Sequence, residues 1–497
     1  MPRFTPAPNR RPEALRLRQL REALRLSQRD LASEFRVAHT AVSSWESGAR
    51  TIPGPVLKLI EIYEDQAGVV PVKPVRETST ELPGAGISRN IRLSLAVAGL
   101  AARFAGRFFL KWAGAAPDPM KDSAKLVQTL GNLKGLLMKA GQMVGYVHAG
   151  GIASLREPFE ILQSQASPLR PDLIENVIQE ELGAPPKFLF FSWNPMPIGV
   201  GSIGQVHEAR LRDRTEIAIK VQYPGIQKSL QSDLKYTRFI DLFGTLIFRK
   251  QDRDSFVEEL AHQADQECDY ERERSNQERF REIFKGDSAV LIPRTISEFS
   301  SKRVLTQEKI TGRSFRSFCE VGSRTDKDEA GKIIFRFAFE SLFQHGILNC
   351  DPHPGNFQFK DGKVIFHDFG SVKELPPLFV EQFREVLRAL QREDRAAVAR
   401  LAVEMGYVPE TQGFDFDHHY DMLKFLYSPV LTEGEFTFNP AFVEEVWNRI
   451  ILNNKNRALS SLPRDWIFVN RLQWGLYSIL AELRARADWK SLLEPLL

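Results

Sequence analysis

Asn349-Cys350-Asp351-Pro352-His353-Pro354-Gly355-Asn356, followed after a short apolar run by Val364-Ile365-Phe366-His367-Asp368-Phe369-Gly370, decides the reading of this 497-residue chain. Turns rich in Asp, Pro and Gly are common loop chemistry. The order of the oxygen donors is less common: Asp351 and Asn356 stand five apart, and Asp368 opens the second turn. Asn356 and Asp368 offer hard oxygen ligands of the kind that suit octahedral Mg²⁺ bridging phosphate groups. His353 and His367 lie in the same turns, but no third ligand at matching spacing joins them, so they read as structural rather than zinc ligands.

Working upstream, Pro197-Ile198-Gly199-Val200-Gly201-Ser202-Ile203-Gly204-Gln205-Val206 reads as a strand-turn-strand loop. Gly199, Gly201, Ser202 and Gly204 let backbone approach phosphates without a β-carbon in the way, and Val206 can cover a base. Alone, this spacing would suit a dinucleotide fold equally well. The next segment decides: Thr215-Glu216-Ile217-Ala218-Ile219-Lys220-Val221 is a strand ending in a lysine, with no acidic residue at a ribose position. Loop, strand lysine, acidic helix, DxxxxN and DFG follow in the order of protein kinases, where the lysine neutralises phosphate charge. A carboxylate must hold that lysine. The polar helix expected over 263–280 offers Glu267, Asp269, Glu271 and Glu273, and pattern alone does not choose among them. Glu308, ending Val304-Leu305-Thr306-Gln307-Glu308, marks a hinge between two lobes and is counted with the nucleotide contacts. The segment 376–497 is helical by pattern.

The first 60 residues carry 11 Lys/Arg against 5 Asp/Glu. Leu20, Leu24, Leu31, Phe35, Val42, Trp45, Leu57 and Ile60 supply an apolar helical face. Ser27 with Asp30 three residues on is a capping signal, and a second helix is expected from His39 to Trp45. LRQLREALRLSQRDLASEFRVAHTAVSSWESGART resembles lambda-repressor (Cro-type, XRE-type) helix-turn-helix domains over residues 14–64. That resemblance puts His39, Thr40, Ser43 and Ser44 near DNA bases and Gln28 near a phosphate. Residues 67–87 read as a linker. Residues 88–116 hold Arg89, Arg92, Arg103, Arg107 and Lys111 with no acid, a basic amphipathic helix that suits an anionic membrane surface or a neighbouring domain.

Composition sets the frame. With 43% hydrophobic and 26% charged residues the chain is globular, and its length allows about three domains. The net charge of +4 excludes a globally basic nucleic-acid binder. Cys268, Cys319 and Cys350 are too few for a disulfide framework, which points to a reducing, cytoplasmic-side location. No secretory signal is expected at the start. The run 188–207 has no Asp, Glu, Lys or Arg, yet its prolines and glycines exclude a membrane helix.

Lys139-Ala140-Gly141-Gln142, Lys220-Val-Gln-Tyr-Pro-Gly225, Glu267-Cys-Asp269-Tyr270 and Asp351-Pro-His-Pro-Gly-Asn356 together resemble the UbiB family of atypical kinases over about residues 88–497. The resemblance implies ATP and Mg²⁺ as cofactors, ATPase or small-molecule kinase activity, and an isoprenoid-lipid or quinone-pathway substrate or protein partners. It gives Lys139 and Gln142 the KxGQ motif folded over the site, and Glu267 and Asp269 the ExD motif paired with it. Glu273 becomes the partner of Lys220, Asp351 the catalytic-loop aspartate, and Asn356 and Asp368 the metal ligands. Family loops are usually alanine-rich, so Gly199 and Gly201 are expected to give a more mobile loop. The helix-turn-helix, which the family generally lacks, adds DNA as a candidate partner. The alternatives are a protein serine/threonine kinase and a nucleotide-sensing DNA-binding regulator. The expected fold class is α+β: a helix-turn-helix domain (11–66), a linker (67–87), a helical extension with the KxGQ motif (88–170), and a kinase-like pair of lobes (171–308 and 309–497). The location expected is cytoplasmic, peripheral on the inner face of a membrane.

Overall fold

The computed structural model describes positions 14, 17, 18, 20, 21, 24, 26–35, 37–47, 49, 50, 52, 56 and 60, then 168–228, 230, 265–408, 411–457, 459–461 and 463–497. Lys139, Gln142, the linker 67–87, the basic segment 88–116 and nearly all of the 88–170 extension lie outside the described residues. The chain divides into two compact units, Met1–Thr78 and Ser79–Leu497. Among the described residues no helix is long and apolar enough to cross a membrane.

In the first unit, α1 (Gln28–Glu34) begins at Ser27, whose hydroxyl accepts from the Asp30 amide while the Asp30 carboxylate accepts from the Ser27 amide. These bonds satisfy amides that a helix start leaves free. α2 (His39–Glu46) follows, and Leu17, Leu20, Leu31, Phe35, Val42, Trp45 and Ile60 close a small apolar core. Leu24 is only partly buried, and Leu57 lies outside the described residues.

The second unit starts, among the described residues, with α3 (Pro171–Leu182), ended by Gly183 at φ +81°. Its buried face, Ile174, Val177 and Ile178, packs into one core with Ile217, Ile219, Val221 and Leu305. Those residues belong to a four-stranded antiparallel sheet of β1 (Ser192–Val200), β2 (Gly204–Arg210), β3 (Glu216–Gln222) and, beyond β4 (Val290–Leu291), β5 (Val304–Glu308), in the order β1-β2-β3-β5. Register shifts interrupt β1 around Pro197, as expected where proline has no amide to give.

The polar helix is not continuous over 263–280. Asp269 caps α4 (Tyr270–Ile283) by accepting from the Glu271 and Arg272 amides, so the helix breaks at 268–269 and Glu267 lies in a separate helical stretch before it. The second lobe holds β6 (Arg313–Ser314), α5 (Arg324–His345), β7 (Ile347–Asn349), β8 (Phe357–Lys360), β9 (Lys363–Phe366), β10 (Val372–Glu374), α6 (Pro377–Gln391) and α7 (Arg464–Leu483). Phe335, Phe337 and Phe339 of α5 are buried, and each such side chain contributes about 1.5–3 kcal/mol. Gly346 in the left-handed region ends α5 and turns the chain into β7. β7 pairs with β10, Asn349 opposite Val372, and β8 pairs with β9. The two Asp-rich turns are thereby brought side by side.

Candidate functional site

The β2–β3 ladder sets Val206 opposite Lys220, and the β3–β5 ladder sets Lys220 opposite Leu305. Lys220 Nζ donates to both oxygens of Glu273 at 2.7 and 2.9 Å and to Asp368 Oδ2 at 3.2 Å, and it lies 5.0 Å from the centre of the Tyr270 ring. Burial alone would push the ammonium down, but the Asp368 and Glu273 charges outweigh it and hold it well above its usual range. The amine is a fixed positive charge. Of the four acids the sequence offered in the polar helix, the geometry selects Glu273, 2% exposed, as the partner of Lys220.

Above the lysine, the Gly201 amide donates to Gly204 O at 2.8 Å and closes the turn. Tyr223, 1% exposed, clasps it from behind, its hydroxyl donating to Gly201 O at 3.2 Å and its amide to Ile203 O at 2.9 Å. Only one of the three glycines is sterically obligatory: a Cβ on Gly204 would stand 2.4 Å from Val221 O and 2.8 Å from the Tyr270 hydroxyl, whereas one on Gly199 would meet ordinary contact at 3.8 Å and one on Gly201 a single atom at 3.4 Å. Neither Gly199 nor Gly201 has a positive φ. Tyr223 holds the turn from behind through its hydroxyl and its amide.

In the facing lobe, Asn349 ties the two Asp-rich turns together: its amide nitrogen donates to Asp368 O at 2.8 Å and its Oδ1 accepts from the Asp351 amide at 3.2 Å. Asn356 Nδ2 donates to Asp351 O at 3.0 Å and to Asp351 Oδ2 at 3.2 Å, which fixes the amide and leaves its oxygen for another partner. Arg471 Nη2 donates to Asp351 Oδ1 at 3.0 Å. Asp368 Oδ1 accepts from the Gly370 amide at 2.9 Å. Burial holds His367 down to about 4, so its imidazole is neutral, and pushes the Cys350 thiol up to about 12, so it is no nucleophile. His353 Nδ1 accepts from the Gly355 amide at 2.9 Å.

A cleft of about 230 Å³ gathers Gly201, Ser202, Gly204, Val206, Lys220, Glu267, Glu273, Asp351, Asn356 and Asp368. Among the described residues no group of three His, Cys, Asp or Glu forms a metal cage. The donor set fits Mg²⁺, which binds through one or two carboxylates plus substrate phosphates rather than a cage of protein ligands. Three expected residues are not on the cleft wall. Glu308 pairs with Arg294 at 2.8 Å, Asp269 is occupied as the α4 cap, and Gly199 lies just outside. Tyr223, Asn349 and Arg471 were not assigned roles from sequence. Arg471 had a signal, since it is the single Asp, Glu, Lys or Arg in residues 466–481.

In the first unit, His39 and Thr40 of α2 are exposed. Gln28 is not free for a phosphate: its amide donates to Glu46 Oε2 at 2.7 Å, beside the Arg21–Glu46 ion pair at 2.7 Å.

Residues 161–402 match the family model of the ABC1 atypical kinase-like domain, and residues 17–63 match a helix-turn-helix model, so the chain carries both domains. It is 27% identical over 376 residues to "Atypical kinase COQ8B, mitochondrial" of Danio rerio, covering 75% of this chain and 60% of that protein. It is 24% identical over 372 residues to "Atypical kinase COQ8, mitochondrial" of Saccharomyces cerevisiae, covering 73% of each. Among solved structures it is similar to Rv3197 of Mycobacterium tuberculosis, seen in complex with erythromycin, at 26% identity and a TM-score of 0.56, covering 76% of this chain and 96% of that one. The UbiB resemblance read from the motifs and the two-part α+β architecture agree with these matches.

Proposed function

We propose that the protein is an ATP- and Mg²⁺-dependent atypical kinase or ATPase of the UbiB type that supports ubiquinone or other isoprenoid-lipid metabolism. The observation that carries the reading is the convergence, in one cleft, of Lys220, Glu273, Asp351, Asn356 and Asp368 from four separate stretches of chain. Lys220, held by Glu273, neutralises phosphate charge, and the Gly201–Gly204 turn brings backbone to the phosphates. Asn356 and Asp368 would hold Mg²⁺, which when bound screens the charge on the transferring phosphoryl group. Asp351 orients a hydroxyl or a water for attack and accepts its proton, while the terminal phosphoryl passes to that oxygen and ADP leaves.

The test is Mg²⁺-dependent ATP turnover by purified protein. Asp368→Asn should abolish it, and unchanged turnover would refute the reading. Stimulation by anionic liposomes and a phenolic quinone precursor would support a peripheral membrane site and a quinone-pathway substrate.

We also propose a regulatory role for residues 14–64, in which nucleotide occupancy of the kinase-like domain controls DNA binding. The exposure of His39 and Thr40 on α2 favours it. A gel shift on the protein's own promoter region, with and without ATP, tests it; absent or salt-insensitive binding counts against it.

A further inference from the structure

α7 is apolar along most of its length, and Arg471 interrupts it. A guanidinium 9% exposed in such a helix is costly unless a partner of opposite charge meets it. That partner is Asp351, 120 residues earlier, at 3.0 Å. One turn further along the same face of α7, Gly475 touches the next residue of the loop: a Cβ there would stand 2.3 Å from Pro352 Cγ and 3.2 Å from Pro352 O. One helix face thus makes two contacts with consecutive residues of the Asp351–Asn356 turn, one ionic and one steric.

We infer that Arg471 is a positioning residue for phosphoryl transfer, clamping Asp351 from behind while Gly475 seats Pro352, a reading that rests on the function proposed above. Arg471 is not on the cleft wall, so it acts through Asp351 rather than on the nucleotide. With Oδ1 taken by Arg471 and Oδ2 by Asn356, the carboxylate has a single orientation. Held in this way, the carboxylate presents one fixed direction to the cleft it lines. Such a group is suited to orienting the attacking hydroxyl or water from which it takes the proton.

The experiment compares full-length wild type, Arg471→Gln, Arg471→Lys, Asp351→Asn and the double variant Arg471→Gln/Asp351→Asn. Turnover of Mg-ATP and the dissociation constant of a fluorescent ATP analogue are both measured. Arg471→Gln should lower kcat on the order of 10²-fold, as a misplaced catalytic group does, with nucleotide affinity nearly unchanged. Arg471→Lys should recover part of kcat, and in the Asp351→Asn background Arg471→Gln should cost nothing further. Wild-type kcat in a folded Arg471→Gln protein, or nucleotide affinity falling as far as kcat, would overturn the inference. Should Arg471→Gln fail to fold, Gly475→Ala takes its place: a loss of kcat at constant affinity supports the clamp, and unchanged kcat overturns it. If wild type itself turns over no ATP, the proposed function fails separately. The clamp is then read from urea denaturation of the same four variants, where coupling of the two substitutions supports it and additivity overturns it.

Discussion

Replacing Lys220 by Met should destabilise the kinase-like unit more than replacing its partner Glu273 by Gln, although both substitutions break the same ion pair. Lys220 Nζ serves two carboxylates, Glu273 at 2.7 Å and Asp368 at 3.2 Å. Removing the amine takes the Lys220 charge away from Glu273, 2% exposed, and breaking a buried pair in this way costs about 3–5 kcal/mol. At about 1 °C per kcal/mol for a unit of roughly 400 residues, the melting temperature falls by about 3–6 °C. Glu273→Gln leaves the Lys220 amine, its side chain 24% exposed to water, with Asp368, and costs about 1–3 kcal/mol. The double variant carries no lone buried charge and should regain about 0.5–3 kcal/mol over Lys220→Met. Because Lys220 titrates above its ordinary 10.5, its contribution is complete below that pH and lost only as pH rises beyond it. The ordering should therefore hold throughout pH 6 to 9. Thermal and urea denaturation measure it. A Lys220→Met protein as stable as Glu273→Gln, or a double variant no better than Lys220→Met, would refute the argument.

Three further outcomes follow from the geometry. Gly204→Ala should cost about 1–3 kcal/mol through its clash with Val221 O, whereas Gly199→Ala and Gly201→Ala should melt close to wild type. Tyr223→Phe removes the hydroxyl bond to Gly201 O, worth about 0.5–1.5 kcal/mol, and should weaken binding of an ATP analogue several-fold with kcat little changed. His419, held down to about 4 by burial and by His418, is neutral when folded and protonated in the unfolded chain below pH 6.5. Its contribution is present above 6.5 and lost at about 1.4 kcal/mol per pH unit toward 4, so His419→Phe should flatten the acid limb of stability against pH.

Much of the site was legible because its chemistry is written locally. Asp351 and Asn356 share one turn and Asp368 opens the next, so spacing alone exposes them. Lys220 follows from the apolar run Ile217-Ala218-Ile219 that precedes it, and the α1 capping box from Ser27 and Asp30. What stayed hidden depends on residues far apart in the chain. Nothing local distinguishes Gly204 from Gly199 and Gly201; its Cβ clash comes from β3 and from Tyr270, which packs beneath. The break before α4 turned on whether Asp269 faced the cleft or capped the helix, and both roles use the same carboxylate. Glu308 ends the right strand, but its side chain turns to Arg294. Gln28 was assigned outward because the competing acceptor, Glu46, is 18 residues away on the next helix.

The Arg471–Asp351 contact also has a consequence for synthesis. The two residues are 120 apart, and α7 is the last long helix of the chain. At the roughly 5–20 residues per second of translation, a ribosome needs about 6–24 s to carry the chain from one to the other. Asp368 is made early in that interval, and from then on the turn bearing Asp351 waits for Arg471 to reach it. A nascent chain therefore gains its finished Asp351–Asn356 turn only once α7 has docked.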